Sequence, residues 1–515
     1  MEPRDQQSSS PKKHCSHPTA AQSSPWLARI AFTLFCLGTI FSLVYRSVYL
    51  FCHSTSEAWI AGGGVLAIIA VCFAFHQPVL LALGRLLTAP SIGNTAWLSF
   101  WLICGLVLRL GWVLVFPVGL KSDNLAYFQI ASGMVLKHSG SGAYWPPGFS
   151  LFLAPWLMAF GVHPWVAQGC ALLFFVATYL LAYALAKHIQ GHLVARIASM
   201  LVAIWPGYLT LAGINCKEGL LAVLVPAALL LYLKASNSSH TSVRAQYSDP
   251  RPDADCAGFR WSLMIAGGLC MGLAALTQPG YIIFPAVILG AEMLQGTSVL
   301  RAMGRTAVFS LALIATILPW TCRNYLAFHR IILISTNGGS VFYRANNPLA
   351  NAHYSAEGEI PLPKDEFAAN QLGYKLADEW IEHHPGGFAM LMVRKQVVFL
   401  GDDAQGAYET FKRGSNPTGT LYASVKGISN LFWLAAWTVL LLGVPSLFSR
   451  RNWRLWYGLL FLPLVYQLVI DGVFESSPRH HVPYIALIAV LLALALSQHT
   501  NPERDPSTPT LAATP

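Results

Sequence analysis

The chain has 515 residues, of which 55% are hydrophobic and only 11% charged, and its mean hydropathy is +0.50. An average soluble domain carries roughly 25% charged residues, so a water-soluble globule is excluded. The formal net charge of +10 is scattered through short loops between apolar runs. That pattern argues against nucleic acid as a partner, because phosphate-tracking proteins gather their basic groups on one face.

The first 26 or so residues form a polar tail with Arg4, Lys12 and Lys13. The apolar stretch from Trp26 to Leu50 is too long for the core of a cleaved signal peptide and reads as an uncleaved anchor. A membrane helix needs roughly 20 apolar residues to cross the hydrocarbon core. About twelve stretches meet that need, near 27–50, 58–83, 96–118, 164–187, 193–211, 217–234, 260–277, 279–296, 305–321, 427–448, 454–472 and 480–497. The expected fold class is thus an all-α polytopic membrane protein.

Orientation follows from the cations of the short loops. Lys187 and Arg196, then Lys234, Arg244, Arg251 and Arg260, then Arg301 and Arg305, then Arg450, Arg451 and Arg454 share one side. The positive-inside rule makes that side cytoplasmic. Two segments then face outward, near 119–163 and 322–426, and ten of the 23 acids lie in the second. The organisation expected is a polar tail (1–26), two extra N-terminal spans (27–95), a transmembrane core with the first outward loop (96–321), the large outward segment (322–426), C-terminal spans (427–497) and a disordered cytoplasmic tail (498–515). The Ser-, Asn-, Asp- and Pro-rich loop from Ala235 to Gly258 reads as a disordered connector. The ten cysteines show no CxxC spacing, and several, such as Cys36, Cys104 and Cys170, read as small apolar residues.

Chemistry-bearing residues collect on the outward side. Asp123 directly follows a span, where it either caps the helix suggested by 124–136 or presents a carboxylate at head-group level. The string Tyr144-Trp145-Pro146-Pro147-Gly148-Phe149 predicts a rigid turn at the interface, since neither proline can continue a helix. Glu218 opens the span near 217–234 behind Lys217. An acid at that depth is costly and is either functional or paired, here with Lys217 or the helix dipole. Lys121, Arg323, Arg344, Arg479 and His480 are outward cations that could hold an anion, or meet lipid head groups and balance the acids of the large segment. Asp471, Glu475, Arg479, His480 and His481 crowd one short loop. The adjacent His pair lacks a third ligand at a recognised spacing, so no metal site is demanded, although one or two of the acids could hold a divalent ion together with a phosphate. No Walker loop or nucleophile elbow is present.

Five stretches carry a family likeness: Ser122-Asp123 after a span; YWPPGFSLFLAPWLMAFG from Tyr144; Lys217-Glu218; PWTCRNYLAFHRIILISTNGGSVFYRANNP from Pro319; and ADEWIEHHPGGFAMLMVRKQ from Ala377. Over roughly 96–490 the chain resembles the GT-C-fold glycosyltransferases that use lipid-phosphate sugars, in the branch of the protein O-mannosyltransferases and the lipid A aminoarabinose transferase. The resemblance implies a multi-pass enzyme of the inner (plasma) membrane with its active face extracytoplasmic. It implies sugar transfer from a polyprenyl-phosphate donor to a glycan, lipid or protein acceptor, with inversion. Asp123 would be the general base and Glu218 a second acid, while Lys121, Arg323, Arg344, Arg479 and His480 would bind the donor phosphate. The chain departs from the family pattern in having Asn124-Leu125 after Asp123 and Arg479-His480-His481 before Pro483. A flippase or transporter of lipid-linked saccharides is the alternative, but it calls for charges near mid-bilayer, whereas Asp123, Glu218 and Asp471 lie at one surface.

Overall fold

A computed structural model describes residues 25–51, 92–136, 142–236, 259–352, 358–413, 419–450 and 452–497. Within these, every regular element is helical. In chain order they are α1 (Trp26–Phe51), α2 (Asn94–Val115), α3 (Ser122–Leu136), α4 (Gly148–Phe160), α5 (Pro164–Gln190), α6 (His192–Ile204), α7 (Lys217–Ala235), α8 (Trp261–Thr277), α9 (Pro285–Leu294), α10 (Val299–Phe328), α11 (Gly338–Ala345), α12 (Glu366–His383), α13 (Pro385–Leu400), α14 (Gln405–Phe411), α15 (Thr420–Leu442), α16 (Leu462–Val473) and α17 (Ile485–Ser497). Short helical turns join some of them.

Eight helical stretches among the described residues are long and apolar enough to cross a membrane. They match the spans expected near 27, 96, 164, 217, 305, 427, 454 and 480, and the chain is a multi-pass membrane protein. The expected span near 58–83 and the connector up to Gly258 lie outside the described residues, as does the tail from 498. Three further expected spans are shorter helices: α6, α8, and α9 with the 3-10 turn Pro279–Ile283 before it.

The span expected over 193–211 is cut after Ile204. Trp205 is extended ahead of Pro206, as a residue before proline must be, and the chain restarts as the single turn Pro206–Leu209. The cut leaves helix-end carbonyls without partners inside the protein. Arg109, buried in the middle of α2, supplies donors: Nη1 bonds the Ala203 carbonyl at 2.8 Å and Nη2 that of Val202 at 3.3 Å, with the guanidinium 3.6 Å from the Phe175 ring centre. Packing between α8 and α10 relies on small residues. A Cβ at Gly268 would strike the Phe309 carbonyl and one at Gly272 would strike Thr316, so the two backbones lie in near contact.

Two helix ends differ from the expected spans. The helix of the span expected over 305–321 runs on through Pro319 to Phe328 and carries Arg323 on its last turns. There the PW..RN residues act as ties. Trp320 Nε1 donates to the Ile334 carbonyl at 2.9 Å, and Asn324 Nδ2 to those of Ile332 and Ile334, holding the returning chain against the helix end. The helix of the span expected from 427 starts earlier, at Thr420.

The loop expected to face outward near 119–163 contains the apolar helix α4, which starts directly after Pro146-Pro147. Glu366 clamps this loop to the large segment: its carboxylate accepts from Ala143 N at 3.2 Å and from Thr336 Oγ1 at 3.0 Å, beside a Thr336 N to Ala143 O bond of 2.9 Å. Asn337-Gly338-Gly339, which the sequence offers as a flexible turn, is the start of α11. Gly339 N donates to Asn370 Oδ1 at 2.8 Å, and the Gly339 and Gly373 backbones approach so closely that neither position accommodates a Cβ.

Candidate active site

Three chain segments meet where α3, α7 and the turn before α17 begin. Asp123 lies in the first turn of α3, following Ser122 in the left-handed region (φ 51°). Glu218 lies in the first turn of α7, after the extended Cys216. Arg479 comes from the 3-10 turn Pro478–Tyr484, whose two prolines limit its backbone freedom before α17.

Arg479 bridges the two acids. Its Nη2 donates to Asp123 Oδ2 at 2.9 Å, and its Nε stands 3.2 Å from Glu218 Oε1. The second contact is an ion pair without the alignment of a hydrogen bond, so the Glu218 carboxylate, only 1% exposed, makes no hydrogen bond among the described residues. Lys217, Glu475 and the buried Tyr127 stand within electrostatic reach of the same group. Two first-turn acids at helix N-termini, where the dipole favours negative charge, thus share one guanidinium.

The electrostatics divide the acids. Burial alone would raise the Asp123 carboxyl, but Arg479, with help from Lys217 and the Ser122 hydroxyl, outweighs it and holds Asp123 below the usual carboxylate range. Glu475 moves the other way: burial raises it, and the cations His480, Arg479 and Lys217 compensate only in part.

The cations expected together are dispersed. Lys121 is exposed and spends its ammonium on the Arg413 carbonyl at 2.7 Å. Arg323 lies over the Trp320 and Phe328 rings and donates to Asn324 Oδ1 at 3.0 Å. Arg344 lines a cavity with Lys395, Glu475 and Ser476, next to the Arg479 group. His480, expected to face phosphate, is buried with Nδ1 2.9 Å from Asp471 Oδ1, and Asp471 also accepts from Gln467 Nε2 at 2.8 Å. The reading of Asp123 as a helix cap is not what its carboxylate does here, since it bonds Arg479 and the Ser122 hydroxyl.

His481 turns to a different acid. Its Nε2 is 2.7 Å from Asp403 Oδ1, Asp403 Oδ2 accepts from Trp205 Nε1 at 2.8 Å, and the Trp433 ring stacks on the imidazole at 4.6 Å. The adjacent histidines are thus committed to separate carboxylates. Among the described residues, no three His, Cys, Asp or Glu side chains converge as a metal site. Asp403 and Lys395 carry no local signal in the sequence: Asp403 is one of ten acids in its segment, and Lys395 lies within the stretch from Ala377 to Gln396.

No protein-family model matches the sequence, and no curated protein does. Among solved structures, the chain is similar to the Archaeoglobus fulgidus oligosaccharyltransferase in the apo form, with 15% identity, 80% of this chain and 51% of that chain covered, and a TM-score of 0.49. It is similar to the oligosaccharyltransferase AglB from the same organism in complex with an inhibitory peptide and a dolichol-phosphate (16% identity, 79% and 51% covered, TM-score 0.47). ArnT from Cupriavidus metallidurans bound to undecaprenyl phosphate is a third (15% identity, 79% and 78% covered, TM-score 0.39). The chain spans about half the length of the two oligosaccharyltransferase chains.

Proposed function

We propose that this chain is an integral membrane glycosyltransferase that moves a sugar from a polyprenyl-phosphate donor to an acceptor hydroxyl or amine on the extracytoplasmic face of the plasma membrane. The observation that carries the reading is Arg479, held between Asp123 and Glu218 where α3 and α7 begin. The motif likeness from Tyr144 to Gln396 supports it.

The chemistry asks for a cation beside a leaving phosphate. As the bond from the anomeric carbon to the phosphate oxygen lengthens, its electron pair moves to that oxygen, and a preorganised guanidinium stabilises the growing charge best where water is scarce. Arg479 has that placement. Asp123 and Glu218 hold it there, and in this resting arrangement Asp123, the base expected from the sequence, is engaged as an anchor. The isoprenoid tail would lie among the apolar spans, and the large outward segment would meet the acceptor.

Sugar transfer from a panel of polyprenyl-phosphate sugars by purified protein, with Arg479→Ala and Arg479→Lys beside the wild type, tests this reading. Transfer by the wild type that collapses in folded Arg479→Ala supports it. A wild type that consumes no donor, yet moves labelled donor across proteoliposome membranes, would replace it with a flippase.

A further inference from the structure

Lys395 on α13 is only 1% exposed, and its ammonium is spent on neutral oxygens. Nζ donates to Asn346 Oδ1 at 2.8 Å, to the Gly472 carbonyl at 3.1 Å and to that of Val473 at 3.3 Å. An ammonium has three N–H groups, and three acceptors meet it. Burying a charge is costly unless it is hydrogen-bonded, so this arrangement is what makes the position tolerable. Two of the acceptors belong to the last residues of α16, whose carbonyls have no partner within the helix and whose end favours a cation. Lys395 thus caps α16 from another helix.

The chain then runs through 474–478 to Arg479, and α11 and α13 hold this stretch. Ser476 Oγ donates to the Lys395 carbonyl at 2.7 Å, Asn346 Nδ2 to Val473 O at 2.9 Å, and the Phe474 ring lies 5.4 Å from that of Phe342. Gln396 Nε2, beside Lys395, adds a bond of 2.8 Å to the Leu468 carbonyl of α16. On the far side of Arg479, His480 and His481 are fixed by Asp471 and Asp403. Arg479 therefore stands between two sets of anchors, and Lys395 with Ser476 is the set that precedes it.

Building on the glycosyltransferase reading, we infer that Lys395 is a positioning residue for sugar transfer: by capping α16 it fixes the stretch that delivers Arg479 to Asp123 and Glu218. The guanidinium is then in place before a phosphate arrives. Lys395 acts through Arg479 and not on the substrate. Misplacement of a reacting geometry by about 1 Å, from a substitution away from the chemistry, can cost about 10²-fold in rate.

The test compares full-length wild type, Lys395→Met, Ser476→Ala and each of these combined with Arg479→Ala, in detergent, using a polyprenyl-phosphate sugar that the wild type consumes. Lys395→Met keeps an unbranched side chain and removes all three donors. Backbone hydrogen exchange across 474–484, measured without substrate, is expected to quicken in Lys395→Met and less so in Ser476→Ala. Transfer by folded Lys395→Met is expected to fall by about 10²-fold, but little further in the Arg479→Ala background, because residues that act as one unit do not add. Equal fold-losses in the two backgrounds would overturn the inference, as would unchanged transfer or unchanged exchange in Lys395→Met. If Lys395→Met does not fold, Ser476→Ala is expected to shift both readouts in the same directions, and its failure to shift either overturns the inference. A wild type that neither binds polyprenyl phosphate nor transfers sugar would remove the underlying reading and this inference with it.

Discussion

Arg479 and Asp123 are joined by a 2.9 Å charge-assisted hydrogen bond although 356 positions separate them in the chain. The bond ties α3 to the turn before the last span, and Glu218 adds a third attachment through the same guanidinium. A phosphate arriving at this point would meet a cation already held in place.

Arg479→Ala is expected to lower sugar transfer by about 10²–10³-fold, in line with removal of one preorganised donor from a developing anion. Arg479→Lys should retain more activity, because it keeps the charge and loses the two-acid fork. Removing one partner of a buried pair costs about 3–5 kcal/mol, so Arg479→Ala should also melt earlier, and thermal melting must accompany the rates. Equal activity of the two variants would sink the phosphate role.

Asp123 links the site to acid stability. Its folded carboxyl lies below its unfolded value, so its pairing contributes stability that is complete above the ordinary Asp pKa of about 3.9 and is lost as pH falls through the lower folded value. Melting temperature followed downward in pH should show this acid-side loss in the wild type and a smaller one in Asp123→Asn. At neutral pH, titration of Asp123 should contribute no slope.

Asp403 should prove a stability residue. Its replacement by Ala leaves the Trp205 indole N–H and the His481 ring nitrogen facing it without their bonds, at about 1–3 kcal/mol for each orphaned buried group. Asp403→Asn, which can still accept from Trp205, should lose less. A melting temperature for Asp403→Ala equal to the wild type would show that the dyad is not holding the turn.

Gly268 offers a steric test away from the site. Gly268→Leu forces side-chain volume against the Phe309 carbonyl, and overpacking of this kind typically costs about 1–3 kcal/mol. Gly268→Ala should lie between Leu and wild type. The readouts are detergent melting and the monodisperse yield on size exclusion.

Most of the helical frame was legible because a span long enough to cross the bilayer leaves an apolar run of matching length. Where the protein uses pieces, the run misleads: the stretch over 193–211 is largely apolar, yet Pro206 divides it and Arg109 caps the stump. Asp123, Glu218 and Arg479 were visible singly as outward charges, but their convergence was not, because no local pattern encodes a contact across hundreds of positions. The structural part of the PW..RN motif was not legible either: Trp320 and Asn324 tie down the returning chain through carbonyls 8 to 14 positions away.

The long separation of Asp123 from Arg479 also bears on how the protein is made. At about 5–20 residues per second, synthesis takes roughly 20–70 s to travel from the acid to its cation. From the moment Glu218 is added, both acids wait without the guanidinium that they share in the complete chain. Chains that stop short of Arg479 therefore carry both acids with Lys217 beside them but without their shared guanidinium, so the site closes only when the last part of the chain arrives.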